Sequence, residues 1–280
     1  MEDRFDPSLG EIRTLVKALP PWTEGGKGGA DEGVAGPLGL VDSLCAWVAG
    51  GQGRDAPRLD RPRAAVFFGN WGAGDVGVGH ASLEKIRSGR SRLNGLCRAQ
   101  DAELRVYEMA FDTPESDDRQ PGLTQKECAT AMAYGMMAVE DGLDLLCVAA
   151  VGPGLKPAAA ALGRAIGTGT DPLEALARFG DHALSALAGA VVAARMARVP
   201  VILDGAAALA ASAVLQGIRD DALDHCVLAQ QLEGEGRTLQ DELGKAAVLD
   251  LGETAEDGSA ALLVLGLLRN AIASHEDPAG

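Results

Sequence analysis

The stretch DHALSALAGAVVAARMARVPVILDGAAALAASAVL, residues 181–215, decides the fold. In its first half, apolar side chains recur at helical spacing with small residues between them, which predicts a helix that another backbone approaches closely. Residues 199–203, VPVIL, are apolar on both faces with a proline near the start, as in a buried strand of a parallel sheet. Asp204 and Gly205 end this strand. Because open α/β sheets bind ligands at the carboxyl ends of their strands, both residues are predicted to lie at the rim of a pocket.

The rest of the sequence alternates strands and helices in the same way. Further strands are predicted over residues 64–69, 103–109, 143–151, 224–228 and 247–251. Further helices are predicted over residues 83–99, 124–140, 157–166, 171–179, 237–243 and 259–274. This order predicts an α/β fold with a doubly wound, mostly parallel sheet and helices on both faces. Residues 1–50, with two helices around a glycine-rich loop, form a small helical N-terminal part, and residues 51–280 form the α/β domain.

Composition restricts the class of partner. The 280 residues are 47% hydrophobic but only 4% aromatic, so alanine, valine and leucine must fill the core. A formal net charge of −15 disfavours nucleic acid and anionic membrane surfaces as partners. No apolar stretch reaches the ~20 residues of a membrane span, and no signal-peptide layout is present. The five cysteines contain no CxxC pair, which is typical of reduced core thiols in a cytoplasmic protein.

Two segments that follow predicted strands contain residues suited to acid–base and phosphate chemistry. Residues 252–259, GETAEDGS, place carboxylates before a glycine and a serine at a helix start, which provides a general base beside backbone amides. The same pattern is typical of ordinary helix capping. Residues 151–157, VGPGLKP, form a glycine-rich turn able to bring amides close to a phosphate, or simply a tight turn. The four histidines are scattered, so no metal site is predicted. The sequence has no coherent dinucleotide fingerprint, and no cofactor is predicted.

Several stretches resemble a known family. They are ARMARVPVILDGAAALAASAVL (194–215), DRPRAAVFFGN (60–70), ECATAMAYGMMAVEDGLDLLC (127–147), ALDHC (222–226) and LGKAAVLDLG (243–252). The chain is similar to the nicotinate-nucleotide:dimethylbenzimidazole phosphoribosyltransferases, which make the α-ribazole phosphate of the lower nucleotide loop of cobalamin. The resemblance implies transfer of phosphoribose from nicotinate mononucleotide to 5,6-dimethylbenzimidazole or a similar base, without a cofactor. It also implies a homodimer, with Trp22, Trp47 and the helix over residues 38–48 as candidates for the contact.

The resemblance assigns roles to individual residues. The glutamate that takes the proton from the benzimidazole nitrogen aligns with Asp257, or with Glu256 after a shift of one residue. The substrate-binding positions that the family motifs imply, together with those at the strand exits, are Gly36, Leu38, Asn70, Trp71, Gly152, Gly154, Lys156, Asp204, Gly205, Glu233, Gly258 and Ser259. Trp71 stands where the family has a histidine, and its ring is able to stack on a planar ligand.

The alignment also shows departures from the family. The polar side chains of the family's phosphate turn are replaced by Ala150, Leu155 and Pro157, although Lys156 adds a cation. A Gly-Arg-Gly-Thr-Gly segment and the helix after it are reduced to AIGTGTD, residues 165–171. Two hypotheses therefore stand side by side. The chain is either an active phosphoribosyltransferase or a paralogue that keeps the scaffold for binding or regulation without the transfer chemistry.

Overall fold

Six parallel strands form one sheet at the centre of the protein. The computed structural model describes residues 7–22, 39–71, 76–109, 122–252 and 255–275. The strands are β1 (Pro62–Phe68), β2 (Glu103–Glu108), β3 (Leu145–Val151), β4 (Val201–Asp204), β5 (Cys226–Gln230) and β6 (Ala247–Leu249). They are ordered β2-β1-β3-β4-β5-β6, and every neighbouring pair is parallel. This confirms the predicted fold class.

Helices cover both faces of the sheet. They are α1 (Leu9–Lys17), α2 (Leu40–Gln52), α3 (Val76–Arg87), α4 (Arg92–Ala99), α5 (Gln125–Met136), α6 (Leu155–Gly167), α7 (Pro172–Phe179), α8 (His182–Met196), α9 (Gly205–Gln216), α10 (Gly234–Glu242) and α11 (Ser259–His275). Helices α1 and α5 to α10 pack on the face that carries Phe67, Val148 and Leu203. Helices α2, α3, α4 and α11 pack on the face that carries Val66 and Ile202. Because strand side chains alternate between faces, each strand contributes to both cores.

The chain changes direction across the sheet between β1 and β3. After β1 it continues into α3 and α4 on one face, and after β3 it continues into α6 on the other. Such a point opens a crevice at the carboxyl ends of the strands. Here the two loops touch, because Trp71 N donates to Pro153 O over 3.0 Å. A Cβ on Gly152 would lie 1.8 Å from Gly69 O, so only glycine permits this approach.

The prediction of one helix over residues 83–99 is wrong. The structure has two helices, α3 and α4, separated by Gly89 in a left-handed conformation with φ +73°. The side chain of Ser91 accepts a hydrogen bond from Asn94 N, and Asn94 Oδ1 accepts one from Ser91 N. This reciprocal capping begins a new helix, which is more favourable than continuing through a glycine.

The expectation that Trp22 and Trp47 lie at a contact between protomers is also wrong. Each is 3% exposed within the protomer. Trp47 Nε1 donates to Asp224 O over 2.8 Å, and the Trp22 ring covers Gly51, where a Cβ would lie 1.8 Å from a ring carbon. Both indoles fill the interior of this chain, so neither is available to a partner.

The N-terminal helices join the main body. Leu9, Ile12 and Val16 of α1 belong to one core and Leu44 of α2 to the other. Helix α2 also runs through residue 50, the predicted boundary between the N-terminal part and the α/β domain, and that boundary stays a prediction. Residues 23–36 of the glycine-rich loop lie outside the described part. Across the described ranges, no helix combines the length and the apolar character of a membrane span.

Candidate active site

A cleft of about 770 Å³ opens beside the exits of β4 and β5, between α6, α10 and the start of α9. Its walls include small or apolar residues such as Ala159, Gly163 and Leu239. Charged side chains of both signs also line it, namely Lys156, Arg164, Glu233, Glu235, Glu242 and Glu256. An apolar interior with a few charged groups is typical of a small-molecule site.

Glu256 lines this cleft and connects its own segment, just before α11, to the starts of α6 and α9. Its Oε1 lies 3.0 Å from Lys156 Nζ, in the first turn of α6. Its Oε2 accepts a hydrogen bond from Ala206 N, in the first turn of α9, over 2.9 Å. The side chain is 20% exposed. A carboxylate at a helix N-terminus is stabilised by the helix dipole, and here the lysine ammonium adds a second positive group.

The position of the Glu256 side chain depends on an unusual backbone conformation at two residues, Glu256 and Gly205. Glu256 has φ +51°, a conformation that costs a non-glycine residue of order 1 kcal/mol or more and that clusters at functional sites. Gly205, with φ +93°, leaves the space for it, since a Cβ there would lie 2.6 Å from Glu256 Cβ. Gly205, which directly follows β4, therefore positions Glu256 in the cleft.

Asp257 and Asp204 hold the start of α11. Asp257 Oδ1 accepts a hydrogen bond from Ser259 N over 3.0 Å. Asp204 Oδ2 accepts from Ala260 N over 2.9 Å. Asp204 is 1% exposed, so it lies beneath the rim. Both carboxylates thus anchor the segment that carries Glu256.

Burial, with a smaller contribution from the charges of Asp257 and Glu256, raises the pKa of Asp204, hydrogen bonds from the α11 amides lower it, and the net result is a pKa of about 6. A raised pKa means that the native state binds this proton more tightly than the unfolded chain does. Protonated Asp204 therefore stabilises the native state fully below about pH 4, and this contribution to stability is lost as the pH rises through 6. In this window Asp204 becomes charged in a site that disfavours charge.

We therefore expect Asp204→Asn to flatten the pH dependence of stability. Ionisation of Asp204 lowers the free energy of unfolding of the wild type by on the order of 2–3 kcal/mol between about pH 4 and pH 7. Asparagine stays neutral and its side-chain oxygen still accepts from Ala260 N, so the variant lacks that fall. Urea titrations at several pH values measure it. Asp250→Asn, at an exposed position, is the matched control. An unchanged slope in Asp204→Asn would contradict the assignment.

The exits of β1 and β3 form a second, adjoining part of the site. Gly154 packs on the backbone of Trp71, and Gly258 faces Val66 and Ala149 of the sheet. Polar atoms here that have no hydrogen-bond partner among the described residues and are shielded from solvent include Asn70 Oδ1, Trp71 Nε1 and Ser259 Oγ.

The structure brings together part of the predicted set. Lys156, Glu233 and Glu256 line the cleft, with Gly205 directly behind Glu256. Asn70 and Trp71 are not among the lining residues of the cleft. The roles predicted for all these residues stay predictions. Gly36 and Leu38, predicted for the base pocket, lie outside the described residues.

Sequence reasoning missed a second charged pair in the cleft. Arg164 Nη1, near the end of α6, lies 2.5 Å from Glu235 Oε1, in the first turn of α10. Glu242 lines the same region. The sequence did contain one indication of Arg164, because it follows Lys156 by eight residues on the same predicted helix. The pairing with Glu235 required the tertiary structure.

Comparison with known proteins identifies the family. A family model described as phosphoribosyltransferase matches residues 33–168 and 163–279. The nicotinate-nucleotide–dimethylbenzimidazole phosphoribosyltransferase of Methylocella silvestris is 35% identical over 318 residues, which covers 95% of this chain and 93% of that protein. This chain belongs to that phosphoribosyltransferase family. The protein of the same name from Allorhizobium ampelinum is 34% identical, over 86% of this chain and 83% of its own length.

Solved structures agree in fold. A crystal structure of the nicotinate-nucleotide–dimethylbenzimidazole phosphoribosyltransferase of Thermus thermophilus has a TM-score of 0.73 at 21% identity, covering 94% of this chain and 93% of that one. A second crystal structure from the same organism has a TM-score of 0.72 at 22% identity. At this identity the likeness supports the fold alone, and it agrees with the parallel sheet described above.

The cleft includes the residues at which two matched stretches of the family model overlap. The alignment with the Methylocella silvestris protein extends over 318 residues, whereas this chain has 280, so that relative has residues that this chain lacks. The two matched stretches of the family model meet at residues 163–168. In the structure, Gly163, Arg164, Gly167 and Thr168 line the cleft, and α7 begins soon after, at Pro172. Part of this overlap therefore lies in the cleft wall.

Proposed function

We propose that this chain transfers phosphoribose from nicotinate mononucleotide to 5,6-dimethylbenzimidazole or a similar base, yielding α-ribazole phosphate for cobalamin biosynthesis. Family membership supports the reaction class. The observation that carries the proposal for this chain is the carboxylate of Glu256, held in a cleft 3.0 Å from Lys156 Nζ and 2.9 Å from Ala206 N. It supplies the proton acceptor that the reaction needs.

The reaction proceeds by displacement at the anomeric carbon. One nitrogen of the incoming base forms the new bond to that carbon while the bond to the pyridinium nitrogen breaks, and its electron pair leaves with nicotinate. The attacking base becomes positively charged and must lose the proton on its other nitrogen. Glu256 accepts this proton, which restores a neutral base in the product. The contribution of the site is to hold both substrates in line and the carboxylate beside the proton.

Geometry favours Glu256 over Asp257 as the proton acceptor. Glu256 lines the cleft, whereas Asp257 is not among the lining residues and its Oδ1 caps α11. The strained backbone of Glu256 also supports a functional position. Lys156 Nζ supplies a positive group for the donor phosphate beside the Gly152–Gly154 turn, and we assign contacts with bound substrate to Asn70, Trp71 and Ser259, which are partly exposed. We assign Asp204, Gly205, Gly258 and Asp257 the positioning of these groups.

An assay for product tests the proposal. Purified protein with nicotinate mononucleotide and dimethylbenzimidazole is expected to release one nicotinate for each α-ribazole phosphate formed, measured by chromatography and mass spectrometry. Calorimetric titration with each substrate reports binding separately. Binding of both substrates without product would overturn the proposal and support instead the alternative of a scaffold that binds without transferring phosphoribose.

We further propose a cytoplasmic homodimer. All five cysteines are free and buried, which is consistent with a reducing compartment. Leu263 and Leu267, one turn apart on α11, are 40% and 36% exposed, a pair of apolar side chains that an interface would cover. Sedimentation at micromolar concentration is expected to give the dimer mass, and a monomer at all concentrations would contradict this.

A further inference from the structure

The cleft carries a positive group near each end of α6. Lys156 lies in the first turn and Arg164 in the last part of the same helix. Eight residues separate them, which corresponds to about 12 Å along the helix axis. Among the described lining residues of the cleft, these two are the cations, and the four glutamates are the anions. An anionic molecule in the cleft therefore depends on these two side chains.

Each cation already has a carboxylate partner, but the two pairs differ in environment. Lys156 pairs with Glu256, which is held at the same time by Ala206 N. Arg164 pairs with Glu235 at the surface, where the side chains are 61% and 60% exposed. An ion pair this exposed contributes ~0–1 kcal/mol. A carboxylate of a ligand is therefore able to replace Glu235 on Arg164 at small cost.

Displacement chemistry decides which end of the donor lies near Arg164. The attacking base and the departing pyridine must lie on opposite sides of the anomeric carbon. Glu256 receives the proton of the attacking base, so the base occupies the Glu256 end of the cleft. The pyridine ring then points away from Glu256 and toward Arg164, which lines the same cleft near the end of α6.

We infer that Arg164 binds the carboxylate of the departing pyridine and makes this chain selective for nicotinate mononucleotide over nicotinamide mononucleotide. This rests on the proposed function and names the residue that distinguishes the two donors. The planar guanidinium offers two parallel N–H donors that match a carboxylate. The amide of nicotinamide has no charge to complete that pair.

Substrate selectivity in Arg164→Met tests the inference. The variant is expected to lower kcat/KM for nicotinate mononucleotide by roughly 10- to 100-fold, mainly through KM, because a charge-assisted hydrogen bond is lost. Turnover of nicotinamide mononucleotide is expected to change little, so the ratio between the two donors collapses. Glu235→Gln is expected to lower KM for the acid, since it removes the carboxylate that competes for Arg164.

Arg237→Met is the matched control. Arg237 lies on α10, pairs with Asp241 at i,i+4 and is not among the lining residues of the cleft, so its loss should leave both donors unaffected. Equal losses for the two donors in Arg164→Met would overturn the inference, since they would place Arg164 on a group that the donors share. Unchanged kinetics would overturn it as well.

Binding measurements separate this inference from the proposed function. If the wild-type protein forms no product, the proposed transfer fails, but calorimetry still compares the two mononucleotides. Tighter binding of the acid in the wild type, lost in Arg164→Met and kept in Arg237→Met, would sustain the role of Arg164. Equal affinities of the wild type for acid and amide would end it.

Discussion

Replacing Glu256 with glutamine is expected to lower the rate of α-ribazole phosphate formation by roughly 10²- to 10⁴-fold, the usual contribution of a general base. Glutamine has nearly the same shape, and its side-chain oxygen still accepts from Ala206 N. It cannot take the proton from the attacking base. The loss should therefore appear in kcat, while KM for both substrates stays close to the wild-type value. Steady-state kinetics with both substrates varied measures the two quantities.

Asp257→Asn is the control for this substitution. Asparagine at this position still caps α11 by accepting from Ser259 N, so the fold of residues 255–259 is retained. We expect a much smaller change in kcat than in Glu256→Gln. If Asp257→Asn instead shows the larger loss, the proton acceptor is Asp257 and the alignment anchored on Gly258 and Ser259 is the correct one. Circular dichroism of both variants checks that the fold is unchanged.

The parts of the fold that follow from local pattern were predictable. The run over residues 199–203 is apolar on both faces, and this alone requires cover on both sides of a strand, as β4 has. The alternation of strands and helices then required parallel pairing. Because the carboxyl ends of parallel strands meet at one edge, the proximity of residues 256–260 to Asp204 and Lys156 was predictable in outline.

Other features depend on contacts between distant residues and could not be read from the pattern. The glycine-rich turn at Gly152 and Gly154 predicted either amides for a phosphate or a tight turn, and the structure shows both glycines used for close approach to the backbone after β1. Pairing of Arg164 with Glu235 requires α6 and α10 to be neighbours. The choice between Glu256 and Asp257 depends on a single left-handed residue, which spacing does not reveal.

A backbone contact between α5 and α8 gives the largest expected effect on stability. A Cβ on Gly135 would lie 1.8 Å from Ala186 O, and one on Gly189 would lie 1.9 Å from Met132 O. Neither neighbour is a side chain that rotates away, so Gly135→Ala must separate the two helices. We expect the free energy of unfolding to fall by about 3 kcal/mol or more, the upper range of overpacking, despite the higher helix propensity of alanine.

Gly95→Ala provides the matched control for this effect. Gly95 lies within α4, and the nearest atom to a Cβ there is Arg98 Nη2 at 4.0 Å. With that space open, the same substitution is expected to raise the free energy of unfolding by up to about 1 kcal/mol through helix propensity and reduced freedom of the unfolded chain. Urea unfolding followed by circular dichroism compares the two variants. If Gly135→Ala and Gly95→Ala have equal free energies of unfolding, α5 and α8 lie further apart than their glycines imply. That result would contradict the close packing of α5 against α8 described here.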